Sequence, residues 1–287
     1  MVVIDPLNSR VLRKSIAGDW LSGLTFLAGG QYCVITATVS SQLRLYNLHR
    51  GAVEKILSTP GYPQAVISHP IEQKLYMLLA DPDTMSTSDV TVVDVKTFQI
   101  AKRILVGPLL NQFTVSPDGK YLFVTSSKHN RIYVVDAEKD ELTDRHFEVS
   151  HSPSYFSVTP DSRKLLVVYN LTDLLQIFDI ETRQLLKTIS VGDIPNYTSS
   201  SLDGRWFYVS DMRSRDIRVV DAEKLEVSAT IRLDVAPSLV QPGKRYLYVV
   251  TENKFLLVVD PEKKETVRKM PLESKPVAMR LRHPELG

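Results

Sequence analysis

Short apolar runs alternate with polar turns along residues 113–136, "FTVSPDGKYLFVTSSKHNRIYVVD". Two of the runs flank a Pro-Asp-Gly turn, and the third follows a short polar loop. Runs of this length that are rich in Val, Ile, Tyr and Phe predict β-strands. One such meander cannot bury both of its faces, so it needs neighbours of the same kind.

The pattern recurs along the whole chain. In each copy the third run ends at a polar marker residue, and the markers are Asp5, Asn47, Asp94, Asp136, Asp179, Asp221 and Asp260. Successive markers are 42, 47, 42, 43, 42 and 39 residues apart. A period of about 40–45 residues that is repeated this often indicates a repeat architecture.

Each period contains four strand-like runs, which we call a, b, c and d. The a–b connections use turn residues such as "SPDGK" at 116–120, where Pro presets φ and Gly supplies a positive φ. The c–d connections, such as "DAEKDE" at 136–141, are charged. Four-stranded units at this period predict a β-propeller, and the chain lacks the Gly-His and Trp-Asp pair of WD40 repeats.

The two ends of the chain add an incomplete seventh copy. Residues 1–16 resemble a c strand and a d strand, and residues 275–287 contain an a strand. We therefore predict an all-β, seven-bladed β-propeller with four-stranded antiparallel blades, whose seventh blade is closed by strands from both termini. It would be a single domain over residues 1–287, with blades 1–6 at about 20–273. A six-bladed ring is the alternative.

The b and c runs "YLFVTSSKHNRIYVVD" and "WFYVSDMRSRDIRVVD", with the "PDGK" turn and the segment "TISVGDIP", resemble the YVTN-type β-propeller repeat. The resemblance covers most of the chain and weakens over residues 20–60. It implies the fold more strongly than a function, because proteins of this type include surface-layer and periplasmic binding propellers, lactonases and subunits of redox enzymes. The resemblance favours an extracytoplasmic location, whereas a natural start at Met1 would favour the cytoplasm.

Composition narrows the function classes only slightly. The formal charge is +2, which favours neither nucleic acid nor an acidic membrane surface. Cys33 is the single cysteine and is expected to be a small buried hydrophobic residue. No run reaches the length of about 20 apolar residues that a membrane span needs.

Strands of one blade alternate in direction, so two rims are expected. The a–b and c–d turns form a repetitive rim, and the b–c and d–a loops form a second rim that varies from blade to blade, the variable rim. Function is placed more often on variable loops held by a rigid scaffold. Six residues of the variable rim are predicted to surround the channel mouth and to bind a ligand or partner: Asn111, His129, Tyr155, Asn196, Tyr197 and Arg213.

No metal or cofactor is predicted. The loop "DPDTMSTSD" at 81–89 carries three carboxylates, but it lacks the frame of a calcium-binding loop. His129 and His151 fall on the variable rim without a third ligand spaced to complete a metal site. Tyr155 and Tyr197 have a structural alternative, in which they fill the channel mouth and their hydroxyl groups cap strands.

The favoured function is therefore a non-catalytic binding or scaffold propeller that holds a protein partner or a small ligand at one face. The alternative is an enzyme or an enzyme subunit, either a lactonase-like hydrolase or the propeller subunit of an oxidoreductase complex. The absence of a nucleophile elbow or phosphate loop argues little against it, because catalytic groups of a propeller come singly from different blades. Nucleic acid is disfavoured, since acidic neighbours dilute the basic residues of the variable rim.

Overall fold

The computed structural model describes residues 1–14, 20–150, 153–274, 276 and 279–281. These residues form 26 strands, which are arranged in six four-stranded antiparallel sheets and one two-stranded hairpin. The hairpin consists of β1 (Val2–Asp5) and β2 (Arg10–Lys14). No helix in the described part of the chain has the length and apolar character needed to cross a membrane.

The chain divides into two compact units. Unit 1 comprises Met1–Val3, Leu12–Val149 and Arg280–Gly287, and unit 2 comprises Ile4–Val11 and Ser150–Met279. Each unit contains three of the four-stranded sheets, so the strands are given unit by unit.

In unit 1 the sheets follow one another in chain order as sheets 1, 2 and 3. Sheet 1 contains β3 (Leu21–Phe26), β4 (Tyr32–Ala37), β5 (Gln42–Asn47) and β6 (Ala52–Ser58). Sheet 2 contains β7 (Tyr62–Ser68), β8 (Lys74–Ala80), β9 (Asp89–Asp94) and β10 (Gln99–Leu105). Sheet 3 contains β11 (Leu110–Val115), β12 (Tyr121–Ser126), β13 (Arg131–Asp136) and β14 (Glu141–Glu148).

Unit 2 contains sheets 4, 5 and 6 in the same connectivity. Sheet 4 contains β15 (Tyr155–Val158), β16 (Lys164–Tyr169), β17 (Leu174–Asp179) and β18 (Leu185–Ser190). Sheet 5 contains β19 (Pro195–Ser200), β20 (Trp206–Asp211), β21 (Asp216–Asp221) and β22 (Glu226–Arg232). Sheet 6 contains β23 (Pro237–Pro242), β24 (Leu247–Thr251), β25 (Phe255–Asp260) and β26 (Glu265–Pro271).

The core of each unit lies between neighbouring sheets. In unit 1, Tyr76 and Leu78 of sheet 2 pack with Leu122 and Val124 of sheet 3. In unit 2, Val219 of sheet 5 belongs to the same buried cluster as Leu247, Val249 and Leu257 of sheet 6. Burying each such side chain contributes about 1.5–3 kcal/mol. The single meander of the sequence is thus stabilised by apolar contact with the next copy.

The predicted ends of the c strands are confirmed. The third strand of each sheet and β1 of the hairpin all end at one of the seven marker residues. The Oδ1 atom of Asp136 accepts hydrogen bonds from the backbone N–H groups of Glu138 (3.0 Å) and Lys139 (2.9 Å). The other six markers cap their turns in the same way. A short polar side chain is therefore needed at each marker to satisfy the N–H groups of the turn.

The sheet count differs from the predicted seven. The described residues form six four-stranded sheets and the separate β1–β2 hairpin, so they contain no seventh four-stranded sheet. Within the predicted segment 275–287, residues 276 and 279–281 are not in a strand, and residue 275 lies outside the described residues. The remainder of that prediction, residues 277–278 and 282–287, lies outside the described residues.

Candidate functional site

Backbone hydrogen bonds join the loops of the variable rim within each unit. Each bond runs from the N–H at the start of a b–c loop to the carbonyl oxygen of the last residue of a d–a loop. In unit 1 these are Thr38 to Trp20 (3.2 Å) and Ser127 to Leu109 (3.1 Å), and in unit 2 Met212 to Ile194 (3.0 Å) and Glu252 to Ala236 (3.0 Å). The loops of the variable rim are thus fixed to one another although their sequences differ.

Three of the four accepting residues share an unusual backbone conformation. Trp20, Leu109 and Ile194 have φ values of 50°, 52° and 57°. This left-handed region is uncommon for bulky side chains and costs about 1–2 kcal/mol per residue. The same conformation also occurs in turns of the repetitive rim, for example at Phe98 (56°) and Leu225 (54°), so it belongs to tight turns on both rims. The sequence does not indicate a positive φ at these positions, because residue type suggests that conformation mainly for glycine and asparagine.

Large apolar side chains of the variable rim face solvent. Trp20 is 80% exposed, and Val39, Met85 and Leu109 of the same unit are also exposed. In unit 2 the variable rim exposes Leu171. The repetitive rim exposes Ile71 in unit 1 and Leu202 in unit 2. Single exposed apolar residues are ordinary. Trp20 stands out because its indole is large and its backbone is strained.

Two of the six predicted site residues belong to unit 1. Asn111 is exposed, and its Oδ1 accepts a hydrogen bond of 2.6 Å from the Thr125 hydroxyl. His129 is also exposed, and its Nδ1 lies 2.6 Å from the hydroxyl of Tyr133. Both are polar groups at the surface, each held by one neighbour.

Tyr155 and Tyr197 of unit 2 are brought together by the structure. Their rings stack with centroids 3.9 Å apart, and their hydroxyl groups are 3.0 Å apart. The Nε2 atom of Gln241 donates to the Tyr197 hydroxyl at 3.0 Å. Tyr197 is only 5% exposed, so its hydroxyl is occupied inside the unit. The two tyrosines thus form a stacked pair that is tied to sheet 6 through Gln241.

The remaining two predicted residues contact partners of their own in unit 2. The Nδ2 atom of Asn196 donates to the Ser238 carbonyl at 3.4 Å. Arg213 is exposed and forms a 3.4 Å ion pair with Asp193. The strand that carries Asn196 also bears the buried hydroxyls of Thr198 and Ser199, which have no hydrogen-bond partner among the described residues.

The candidate cation loop is explained by turn geometry. The Oδ1 atom of Asp81 accepts hydrogen bonds from Asp83 N (3.0 Å) and Thr84 N (2.9 Å). The bonds from Thr84 hold the pKa of Asp81 below its usual value. Among the described residues, no group of three His, Cys, Asp or Glu side chains is placed to hold a metal ion. His151 lies outside the described residues.

A polar cavity of about 380 Å³ lies at the repetitive rim of unit 1, between sheets 2 and 3. Lys74, which is buried, lines it, and its Nζ contacts Asp140 Oδ1 (3.0 Å) and Glu72 Oε2 (2.9 Å). The Tyr76 hydroxyl donates to the same oxygen of Asp140 at 2.7 Å. Lys74 is thus paired with carboxylates of both sheets, and its ion pair with Asp140 joins sheet 2 to sheet 3 at this cavity.

The fold and these loops define the class of protein. The chain is an all-β propeller with four-stranded antiparallel blades, six of which are present in the described residues. It is similar to a chain of the hydrazine synthase of Kuenenia stuttgartiensis, with a TM-score of 0.74 and 18% sequence identity over 88% of this chain and 86% of that one. At that identity the likeness shows the fold alone.

Among curated proteins, the chain is similar to Antigen Lp49 of Leptospira interrogans serogroup Icterohaemorrhagiae serovar copenhageni (strain Fiocruz L1-130). The two are 25% identical over 197 residues, which is 61% of this chain and 42% of the antigen. The match therefore spans less than half the length of that relative. No family model matches the chain, so the YVTN-type repeat remains a resemblance.

Proposed function

We propose that this protein is a non-catalytic binding propeller that holds a protein partner on its variable rim. The observation that carries the proposal is Trp20, whose indole is 80% exposed on a backbone held in the left-handed region. Exposing an indole and straining its backbone are both unfavourable in the free protein. A partner that covers the ring would offset the first of these.

The chemistry of the surroundings supports a protein partner. Tryptophan is among the residues that most often dominate the binding energy of protein interfaces. Val39 follows Thr38, whose backbone N–H bonds to the Trp20 carbonyl, and it is another exposed apolar side chain in the adjoining loop. Leu109 presents a second apolar side chain from the equivalent loop position in the same unit.

Binding by the tagged protein tests the proposal. Wild type, Trp20→Ala and Leu109→Ala are compared with Ile71→Ala, whose side chain is 71% exposed on the repetitive rim of the same unit. For a partner identified with wild type, we expect Trp20→Ala to weaken affinity about thirtyfold, as loss of a central aromatic anchor costs about 2 kcal/mol. Ile71→Ala should bind as wild type does.

The opposite pattern contradicts the proposal. If Ile71→Ala abolished binding while Trp20→Ala and Leu109→Ala bound normally, the partner would use the repetitive rim. All four proteins should first show the same melting temperature, which separates a lost contact from a lost fold.

The six residues predicted from the sequence are proposed as further contacts, each within its own unit. Asn111, His129 and Arg213 are exposed and are proposed to supply polar and charged contacts. Tyr155, Asn196 and Tyr197 are proposed to frame a small-ligand position in unit 2. The enzymatic alternative, a lactonase-like hydrolase or a propeller subunit of an oxidoreductase complex, rests on the YVTN-type resemblance, and the likeness to a hydrazine synthase chain adds support for the fold alone.

We also propose that the β1–β2 hairpin supplies the c and d strands of a seventh blade. Its first strand ends at a marker residue like every c strand, and the Asp5 carboxylate caps the turn that follows. Ile4 packs against Val250, Leu256 and Met270 of sheet 6. The hairpin thus has the sequence pattern of a c strand and a d strand, and it packs on sheet 6 through Ile4.

A further inference from the structure

Two carboxyl groups lie opposite each other at the base of the β20–β21 hairpin in unit 2. Asp211 is the last residue of β20, Asp216 is the first residue of β21, and the two are cross-strand partners. Residues 212–215, which join them, are a loop of the variable rim. Like charges placed directly opposite each other destabilise an antiparallel pair. The hairpin therefore requires something that neutralises one of them.

Asp211 is packed too tightly for solvent. Its side chain is 0% exposed, and its carboxyl oxygens make no well-formed hydrogen bond among the described residues, although the backbone N–H of Gly192 and the carboxyl group of Asp216 lie close to them. Gly192, in the loop before β19, approaches so closely that a Cβ atom there would lie 2.5 Å from Asp211 Cγ. A proton is the species that such a site can accommodate without rearrangement.

One guanidinium group serves both carboxyl groups. Arg218 Nε lies 3.5 Å from Asp211 Oδ2 and 3.3 Å from Asp216 Oδ1. The other charged groups on adjoining elements are Arg232 of β22, which is the cross-strand partner of Asp216, and the Asp193–Arg213 ion pair of the loops. Burial and the charge of Asp216 raise the pKa of Asp211 to about 8, while Arg218 acts in the opposite direction.

We propose that the β20–β21 hairpin is a pH-sensitive clasp, closed while Asp211 is a neutral carboxylic acid and opened when Asp211 loses its proton. Ionised Asp211 would leave two adjacent carboxylates that share one arginine in a packed site. Opening the loop brings Asp211 into water and relieves that repulsion. The loop carries Arg213 and Arg215, both exposed, so opening would displace two cations of the variable rim.

The direction of the pH dependence follows from proton linkage. The closed form binds the Asp211 proton more tightly than the open form, in which the carboxyl has its ordinary pKa. The stability of the closed form relative to the open form is therefore greatest below about pH 4. It decreases as the pH rises from about 4 to about 8 and is constant above that. Between these limits the opening equilibrium changes by up to about tenfold per pH unit.

Amide hydrogen exchange of residues 211–218 measures this opening. From pH 6 to pH 8, we expect wild-type protection factors in the hairpin to fall at least about tenfold. Asp211→Asn, an uncharged side chain of the same shape, should hold them constant within about twofold, because the linked proton is gone. Asp193→Asn removes an exposed carboxylate beside the same loop and should keep the wild-type dependence.

Two results would overturn the clasp. One is an Asp211→Asn protein whose hairpin protection falls with pH as steeply as that of wild type. The other needs no variant: the carboxyl carbon of Asp211 in the wild-type protein is titrated by NMR. A midpoint above pH 6 supports the proposal, and a midpoint near the ordinary value of 3.8 ends it.

Discussion

At the scale of single residues, short polar side chains fix the turns. Asp203 of the β19–β20 turn is an example. Its Oδ1 accepts hydrogen bonds from the Ser201 hydroxyl (2.6 Å) and from Arg205 N (3.1 Å), and its Oδ2 from Arg205 Nε (2.6 Å). The bond from Ser201 and those from Arg205 lower the pKa of Asp203 to about 2. The turn is thus held by the ionised carboxylate.

The pH dependence of this turn can be predicted. The folded-state pKa of Asp203 is depressed, so its contribution is complete above about pH 4 and is lost as the pH falls towards 2. We expect Asp203→Ala to lower Tm at pH 7 by about 2–4 °C, and this difference to shrink by pH 2.5. Thermal unfolding monitored by circular dichroism gives both values.

A matched control separates charge from hydrogen bonding. Asp203→Asn retains an acceptor oxygen for Ser201 and Arg205 N but has no charge to titrate. At pH 7 its Tm should lie between those of wild type and Asp203→Ala. Its Tm difference from Asp203→Ala should be the same at pH 7 and at pH 2.5. A wild-type advantage over Asp203→Ala that is the same at pH 7 and pH 2.5 would contradict the assignment.

Turn chemistry was readable from the sequence, whereas side-chain contacts across sheets were not. The markers and the Pro-Asp-Gly turns act through their own neighbours in the chain, so their role is local. The stacking of Tyr155 on Tyr197 joins residues in different sheets, and it depends on how sheets 4 and 5 pack. The opposition of Asp211 and Asp216 lies between these cases, because a four-residue loop alone places its flanking residues across a hairpin.

At the scale of elements, strand boundaries were predicted better than strand environments. The c strands end at the markers because polar caps stop them. By contrast, Lys74 of β8 is buried and Lys102 of β10 is exposed, although both lie in strands of seven residues. A strand is buried where neighbouring strands and sheets cover its faces and edges. The residues of one strand do not specify which neighbours it will have.

The hairpin allows a test of the proposed seventh blade. Ile4 of β1 packs in the apolar cluster of sheet 6, whereas Val2 is half exposed. We expect Ile4→Asp to destabilise the protein by about 1–3 kcal/mol, since a carboxylate would enter an apolar contact. Val2→Asp, the same change two residues away, should cost less than about 0.5 kcal/mol. Urea unfolding followed by circular dichroism measures both.

Equal stability of the two variants would count against a blade at this position. If Ile4→Asp unfolds at the same urea concentration as Val2→Asp, the hairpin is not packed on sheet 6 in solution. Its resemblance to half a blade would then be a feature of the sequence alone.

At the scale of the whole molecule, the repeat period predicted the propeller but left the degree of cooperativity open. Repeat architectures are stabilised by each repeat and by the interfaces between neighbours. Each of the two compact units buries apolar clusters between its own three sheets. The sequence predicts one domain over residues 1–287. A single domain is expected to unfold in one cooperative transition.

Two natural probes, one in each unit, test whether the molecule unfolds as a single domain. Cys33 of unit 1 is the only cysteine, is 0% exposed, and has a pKa that burial raises to about 12, so a thiol reagent should reach it only on unfolding. Trp206 of unit 2 becomes the only tryptophan in a Trp20→Phe variant. For a single domain, we expect thiol reactivity and fluorescence to change at the same urea midpoint, as two-state unfolding requires. Midpoints that differ by more than about 0.5 M would show that the two units unfold independently, and residues 1–287 would then be two domains.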